Sequence, residues 1–180
     1  MRDPAYTSST MNRLFATLVT LAWALWFGGM IVLFLAVVTI FQTLNPDKTA
    51  AGSAAAGRVA AALFRRFEVY QLGLAAAALV GTVAWSFFGA RRVKTMLFVP
   101  LALATLGAVF VITRLTPPML ELREQGKAQS EEFDRLHKLS ERVYAAQAAV
   151  LLIAGLMIPA AVRGDASPQR RADGPPESQR

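Results

Sequence analysis

The sequence predicts an all-α integral membrane protein, in which four transmembrane helices form an antiparallel bundle and a charged extramembrane helix precedes the fourth span. Of the 180 residues, 54% are hydrophobic and only 17% are charged, and the mean hydropathy is +0.40. This composition exceeds what the core of a small soluble domain requires. The charged residues leave four long uncharged segments, each near or above the ~20 residues that cross a bilayer as a helix. These segments cover residues 14–46, 69–90, 95–113 and 143–162.

The first span is predicted over residues 14–41, after a polar lead formed by residues 1–13. The apolar run is too long for a signal-peptide core, so we expect it to be retained. Asn45, Pro46 and Asp47 break this helix, because proline lacks a backbone N–H and disfavours helix in the residue before it.

The second and third spans are predicted over residues 69–89 and 95–115, and the loop between them is short enough to require an antiparallel hairpin. The alanine-rich segment 49–67 favours helix, and it either lies at the membrane interface or extends the second span. Pro100 predicts a kink in the third span. The pair Pro117–Pro118 is expected to end that span.

The most charged stretch, residues 119–142, is predicted to form a short helix followed by a longer one. Gly126 separates the two helices, and Ser130 caps the second, whose first turn is acidic. The second helix is expected to continue directly into the fourth span, residues 143–162. Residues 163–180 are predicted to be a disordered tail because of their proline, glycine and charge content.

Four spans place both termini on one side of the membrane, and we expect this side to be the cytoplasm. Arg91, Arg92 and Lys94 are confined to the tightest loop on that side, whereas the opposite connections mix basic and acidic residues. We therefore predict a multi-pass protein of the cell membrane, specifically the bacterial inner membrane. The basic pairs Arg65–Arg66 and Arg91–Arg92, each next to aromatic residues, suit anionic lipid headgroups. No nucleic-acid partner is expected, because no nucleic-acid-binding motif accompanies these pairs.

The uncharged segments contain no Asp, Glu, Lys, Arg or His in their interiors. Proton relays and ion-coupled carriers place such groups within the membrane, and an intramembrane hydrolase needs a nucleophile with an activating base. Glu68 and Arg114 at the span ends are the nearest candidates and are interpreted as interface anchors. Cysteine is absent, which removes disulfides and thiolate sites. We predict no enzymatic activity and no cofactor.

His137 is the only histidine, so a metal or haem site would need further ligands from methionine, a carboxylate or another subunit. On a helix it shares a face with Ser140 and Glu141 and can hydrogen-bond to either. It is either a polar residue packed at the membrane surface or a ligand or pH-sensing group.

Small and aromatic residues mark possible contact faces within the spans. Trp26, Gly28 and Gly29 lie deep in the first span, where they serve helix packing or line a ligand cavity. In the second span, small residues recur at every fourth position, which predicts a contact face within the chain or in a homo-oligomer. These residues are Gly73, Ala77 and Gly81.

Gln71 and Gln147 enter the membrane from the same side at comparable depth. An interhelical hydrogen bond between spans two and four is therefore predicted, worth about 0.6 kcal/mol. Alternatively, the two amides line a polar vestibule.

Three short segments carry a resemblance to a known family. They are WFGGM at residues 26–30, AGRV with LF at residues 56–64, and FDRLHKLS at residues 133–140. In this order and spacing they resemble the bacterial family 4149 of domains of unknown function, which is grouped with the eukaryotic transmembrane protein 205. The resemblance covers about residues 14–162 and implies a four-span helical membrane protein with no established reaction. The eukaryotic relatives are associated with resistance to platinum compounds.

The sequence thus predicts a non-enzymatic membrane protein, with the lipid bilayer as its partner and a passive transport or stress-resistance role. One alternative is a membrane-bound metal or haem binder that uses His137 across subunits, with methionines such as Met30 as further ligands. Another is a structural or assembly partner that docks through residues 119–142 and the basic tail. The candidate polar or family-motif positions are Trp26, Gly28, Gly29, Met30, Gly57, Phe64, Glu68, Gln71, His137, Ser140 and Gln147.

Overall fold

A computed structural model describes residues 4–87 and 91–164, and these two ranges are helical apart from short connections. They contain no strand, so the predicted all-α fold is confirmed. The elements are α1 (Pro4–Leu44), α2 (Ala50–Ser86), α3 (Arg91–Phe110), a π-helical turn (Val111–Leu115), α4 (Thr116–Glu124) and α5 (Glu131–Gly164).

Four helical stretches within these ranges are long and apolar enough to cross a membrane, as the sequence predicts. They cover Thr10–Leu44, Ala50–Ser86, Met96–Glu124 and Glu131–Arg163. Large apolar side chains cover much of the outer surface, including Phe34 at 68% exposed and Leu156 at 73% exposed. Apolar surface exposed to this extent is typical of a protein that is surrounded by lipid.

Helices α1 and α2 run in opposite directions along their whole length. At one end, the Trp85 indole Nε1 donates to Asn12 Oδ1 at 2.7 Å. At the other end, Asn45 Nδ2 donates to Ser53 Oγ at 2.8 Å. Because one helix is joined to the other by only a short turn at residues 45–49, the pair forms a hairpin.

Helix α5 runs in the same direction as α2. The Phe64 and Tyr144 rings lie 5.7 Å apart, and further along both helices Gln71 meets Gln147. Helix α1 also contacts α5, because the Trp23 indole Nε1 donates to the Leu151 carbonyl at 2.6 Å.

The buried core joins all four long helices. Its fully buried large side chains are Trp26 from α1, Trp85 from α2, Leu97 and Leu101 from α3, and Leu151 from α5. The core is thus assembled from one stripe of each helix, while the opposite stripes remain exposed.

The ends of the first two spans differ from the predicted boundaries. Helix α1 begins at Pro4, so most of the polar lead 1–13 belongs to the first helix. Segment 49–67 belongs to the same helix as the second span, because α2 is continuous from Ala50. Thr49 caps this helix, and its Oγ1 accepts from the Gly52 N–H at 3.1 Å.

The pair Pro117–Pro118 lies at the start of α4 rather than at the end of the helical path. The π-helical turn leads directly into α4, whose first positions the prolines occupy. Proline is favoured there because the first N–H groups of a helix have no intrahelical partner. Pro100 lies inside α3, which continues past it.

The break before α5 occurs where the sequence predicts it. Gly126 adopts φ +73°, a conformation that glycine permits at low cost. Ser130 Oγ then accepts from the Phe133 N–H at 3.2 Å, which caps α5. The helix runs unbroken to Gly164. Apart from Arg163 and Gly164, the predicted tail 163–180 lies outside the described residues.

Candidate functional site

A buried carboxylate lies where α2 meets α4. Glu68 is 7% exposed, and Thr116 Oγ1 donates a hydrogen bond to its Oε1. The positive charge of Arg65, on the same helix, also acts on Glu68. A buried charged group is costly unless such partners compensate it. Glu68 therefore forms a polar contact between two helices, beyond the interface anchor that the sequence predicts.

The hydrogen bond predicted between Gln71 and Gln147 is present. Gln147 Nε2 donates to Gln71 Oε1 at 3.2 Å, and the two side chains are 3% and 0% exposed. Only one bond joins the two amides. Gln71 Nε2 and Gln147 Oε1 therefore have no hydrogen-bond partner among the described residues.

Tyr144 lies between this amide pair and the carboxylate. Its hydroxyl interacts with the Gln71 amide and with the charge of Glu68, although no contact of full hydrogen-bond geometry is formed within the described chain. The Phe64 ring packs at a 43° tilt against the Tyr144 ring. Phe64, a family-motif position, thus holds the tyrosine in place.

Trp26 contributes a further polar atom at the same depth. It is fully buried, and its indole Nε1 has no partner in the described residues. A Cβ placed on Gly29 would lie 3.2 Å from Phe67 and 3.3 Å from Tyr70. Since α1 and α2 are antiparallel, one turn back from Gly29 brings Trp26 level with Gln71.

Five buried side-chain polar atoms in the described residues lack a hydrogen-bond partner, and four of them lie at a similar depth along the bundle. We call this region the polar layer and define it by Trp26, Gln71, Tyr144 and Gln147, with Glu68 and Thr116 at its edge. Buried polar groups are nearly always satisfied by protein or ordered water. The layer therefore has the chemistry to hold water or a small polar molecule, with indole and amide donors and a carbonyl acceptor.

The two glycines of the first span, Gly28 and Gly29, differ in their surroundings. Gly29 packs against α2, as the helix-packing interpretation predicts, whereas nothing lies within 4 Å of a Cβ placed on Gly28. Met30 is 9% exposed and belongs to the apolar core. Gly29 and Met30 thus lie one turn from Trp26 and on the same face of α1, whereas Gly28 does not.

Gly57 lies outside the polar layer. Arg123 Nη1 donates to the Gly57 carbonyl, and the Arg123 guanidinium also lies 5.5 Å from the centroid of the Phe133 ring. Arg123 thereby joins α2, α4 and α5. Arg123 gives no signal in the sequence, because Gly57 lies 66 residues away and Phe133 lies on another helix.

His137 is not brought into the polar layer. Its side chain is 51% exposed, and Nε2 lies 3.2 Å from Glu141 Oε1. Ser140, at 6% exposed, donates to the His137 backbone carbonyl at 2.8 Å. No group of three His, Cys, Asp or Glu side chains in the described ranges is arranged to hold a metal ion.

The predicted small-residue face on α2 is divided. A Cβ placed on Gly81 would lie 2.9 Å from Val19 Cγ2, so this glycine allows α1 to approach. Gly73 is exposed and has open space around it, and Ala77 is half-buried. A homo-oligomer through Gly73, Ala77 and Gly81 stays a prediction.

Thr116 and Tyr144 complete the site without having been chosen from the sequence as candidates. The only signal for Tyr144 was its place one turn after the FDRLHKLS segment. Thr116 gave no signal, because threonines are common in membrane helices and most bond to their own backbone.

Comparisons with known proteins complete this description. Neither the comparison with curated proteins nor the comparison with solved structures found a match, and the relation to transmembrane protein 205 stays a prediction. A family model described as a domain of unknown function (DUF4149) matches residues 21–128. This range covers more than half of the chain and includes Trp26, Gln71 and Thr116, although it ends before α5. With four helices able to span a membrane, the chain is a membrane protein that belongs to the DUF4149 family.

Proposed function

We propose that this protein is non-enzymatic and binds a small uncharged solute in the polar layer, as the entry site of a passive transport pathway. The observation that supports the proposal is the group of unpartnered atoms on three helices. Trp26 Nε1 and Gln71 Nε2 are donors, and Gln147 Oε1 is an acceptor. A solute with both a donor and an acceptor satisfies them together.

The composition of the layer favours an uncharged solute over an ion. Its interior groups are amides, an indole and a phenol, and Glu68 already accepts from Thr116. A buried ion needs an opposite charge close to it, because desolvation costs several kcal/mol. Amides and polyols need only hydrogen bonds, which these groups can supply.

The layer lies near one end of the membrane-spanning region. Glu68 directly precedes the uncharged part of α2, and Arg142 directly precedes that of α5. Gln71 and Gln147 are thus about one turn inside the apolar segments. A solute would enter from the side that carries the α1–α2 and α4–α5 connections.

The test measures solute permeation into liposomes that contain the purified protein. Stopped-flow light scattering monitors the permeation, and urea and glycerol are the probes. We expect faster permeation of at least one probe than in protein-free liposomes. The double variant Gln71→Leu/Gln147→Leu should remove most of this excess rate. Gln42→Leu, the same change at an exposed position of α1, should retain it.

Stability measurements separate this role from a purely structural one. The double variant loses one hydrogen bond but also two unpartnered groups, so its free energy of unfolding should change by less than about 1 kcal/mol. Permeation equal to that of protein-free liposomes for both probes would contradict the proposal. A loss of several kcal/mol in the double variant would assign the layer to structure instead.

A further inference from the structure

A cavity lies on the outer side of the bundle, between α3 and α5. Its volume is about 230 Å³. Leu103 and Gly107 line it from α3, and Arg142, Val143, Gln147 and Val150 are among its lining residues on α5. Leu103 and Arg142 are exposed, so the cavity opens toward the surroundings of the bundle. We call it the α3–α5 groove.

The groove has a charged end and an apolar end. It follows α5 from Arg142 to Val150, a distance of about 12 Å along the helix axis. Arg142 is the last charged residue before the uncharged segment 143–162. The groove therefore starts at the boundary of the apolar region and extends toward the middle of the bilayer.

Arg142 is available to an external anion. It forms no ion pair within the described part of the chain, because the nearby acids have other partners. Glu141 pairs with His137 at 3.2 Å, and Asp134 pairs with Lys138 at 2.6 Å. Arg114 provides a second exposed cation at this end, seven residues beyond Gly107 on the antiparallel helix.

Gly107 leaves the space that makes the groove. A Cβ placed on Gly107 would lie 3.6 Å from Val143 Cγ1, which is ordinary van der Waals contact. Alanine therefore fits at this position without moving α5. A larger side chain would occupy the groove itself.

We propose that the α3–α5 groove holds an acyl chain of an anionic phospholipid whose phosphate binds Arg142. An arginine at the membrane boundary forms charge-assisted hydrogen bonds to phosphate, and the apolar walls below it receive the hydrocarbon. A phospholipid offers both features at this spacing. The site is separate from the solute site of the polar layer, although Gln147 borders both.

The test is native mass spectrometry of the full chain, extracted from vesicles with equal amounts of phosphatidylglycerol and phosphatidylcholine. We expect one retained phosphatidylglycerol in preference to phosphatidylcholine. Arg142→Gln should lower this preference about fivefold, the effect of one basic residue at a lipid surface. Arg66→Gln, an exposed arginine of α2, is the matched control and should leave it unchanged.

Filling the groove provides a second, independent measurement. Gly107→Phe should abolish retention of the lipid, while Gly107→Ala should keep it, and both variants should elute as wild type in size-exclusion chromatography. Equal retention of the two lipids, or an Arg142→Gln protein with unchanged preference, would overturn the proposal. Retention of added oleate in place of the phospholipid would also overturn it.

Discussion

Glu68 and Thr116 show how one hydroxyl allows a carboxylate to enter a helix interface. Glu68 is nearly fully buried, and its hydrogen bond from Thr116 connects positions 48 residues apart in the chain. The sequence around either residue does not indicate this contact. Their pairing depends on the π-helical turn, which sets the direction in which α4 begins.

Replacing Thr116 tests the energetic importance of this contact. Thr116→Val keeps the shape of the side chain but leaves the Glu68 carboxylate without its donor. We expect a loss of about 1–3 kcal/mol, the cost of an unsatisfied buried polar group, measured by equilibrium unfolding in mixed micelles. Thr113→Val is the control, because Thr113 is exposed and bonds to the Val109 carbonyl of its own helix; equal losses in both variants would refute the interpretation.

For Gln71 and Gln147, the sequence predicts their hydrogen bond but not the surroundings of the two side chains. Their depth along two helices was enough to predict the hydrogen bond, which the structure shows. The sequence did not indicate that this bond leaves a donor and an acceptor unpaired beside Trp26 and Tyr144. That outcome depends on the directions of the side chains. Helical periodicity and depth along the helix do not specify these directions.

The contact between α1 and α5 depends on a glycine that the sequence analysis did not select. A Cβ placed on Gly155 would overlap the indole ring of Trp23, and the same indole donates to the Leu151 carbonyl. The indole thus contacts α5 over one turn, from Leu151 to Gly155. A small residue at position 155 is required for this packing.

Gly155→Ala should therefore weaken the α1–α5 contact. Overpacking of this kind typically costs about 1–3 kcal/mol, and we expect a corresponding decrease in Tm of the purified protein in detergent. Gly28→Ala introduces the same methyl group on α1, where nothing lies within 4 Å, and its Tm should not decrease. A Gly155→Ala protein as stable as wild type would contradict the close packing.

Two of the long helices extend the bundle beyond the spans that the sequence predicts. Helix α2 continues from Ala50 through the segment that was either interfacial or part of the span, and α5 joins the charged stretch to the fourth span. Arg123 then ties these extensions together through Gly57 and Phe133. The charged region is thus part of the bundle's framework, and its placement outside the membrane stays a prediction.

The arrangement of the four spans leads to a topology that can be measured directly. An even number of spans places both termini on one side, and the density of basic residues favours the cytoplasm. Fusion of a fluorescent protein after Arg180 should be bright, and fusion of alkaline phosphatase at the same point should be inactive. Active phosphatase with a dark fluorescent fusion would place both termini outside.

The class and span number of this protein follow from its sequence alone. A bilayer demands about 20 uncharged residues for each crossing and a closed set of backbone hydrogen bonds, and both demands are local. The signals that end or begin a helix are local as well, since Pro46, Gly126 and Ser130 act on their immediate neighbours. For this reason the breaks after Leu44 and at Gly126 appear where the sequence predicts them, whereas the end predicted at Pro117–Pro118 does not, because prolines also fit the first turn of a helix.

The polar layer and the α3–α5 groove could not be derived in this way. Trp26, Gln71 and Gln147 belong to three helices, and their meeting depends on which face of each helix is turned inward. In a membrane, apolar residues suit lipid and protein equally well, so hydrophobic pattern does not distinguish the two faces. Packing of small and aromatic side chains makes that choice, and it becomes visible only when the helices are assembled.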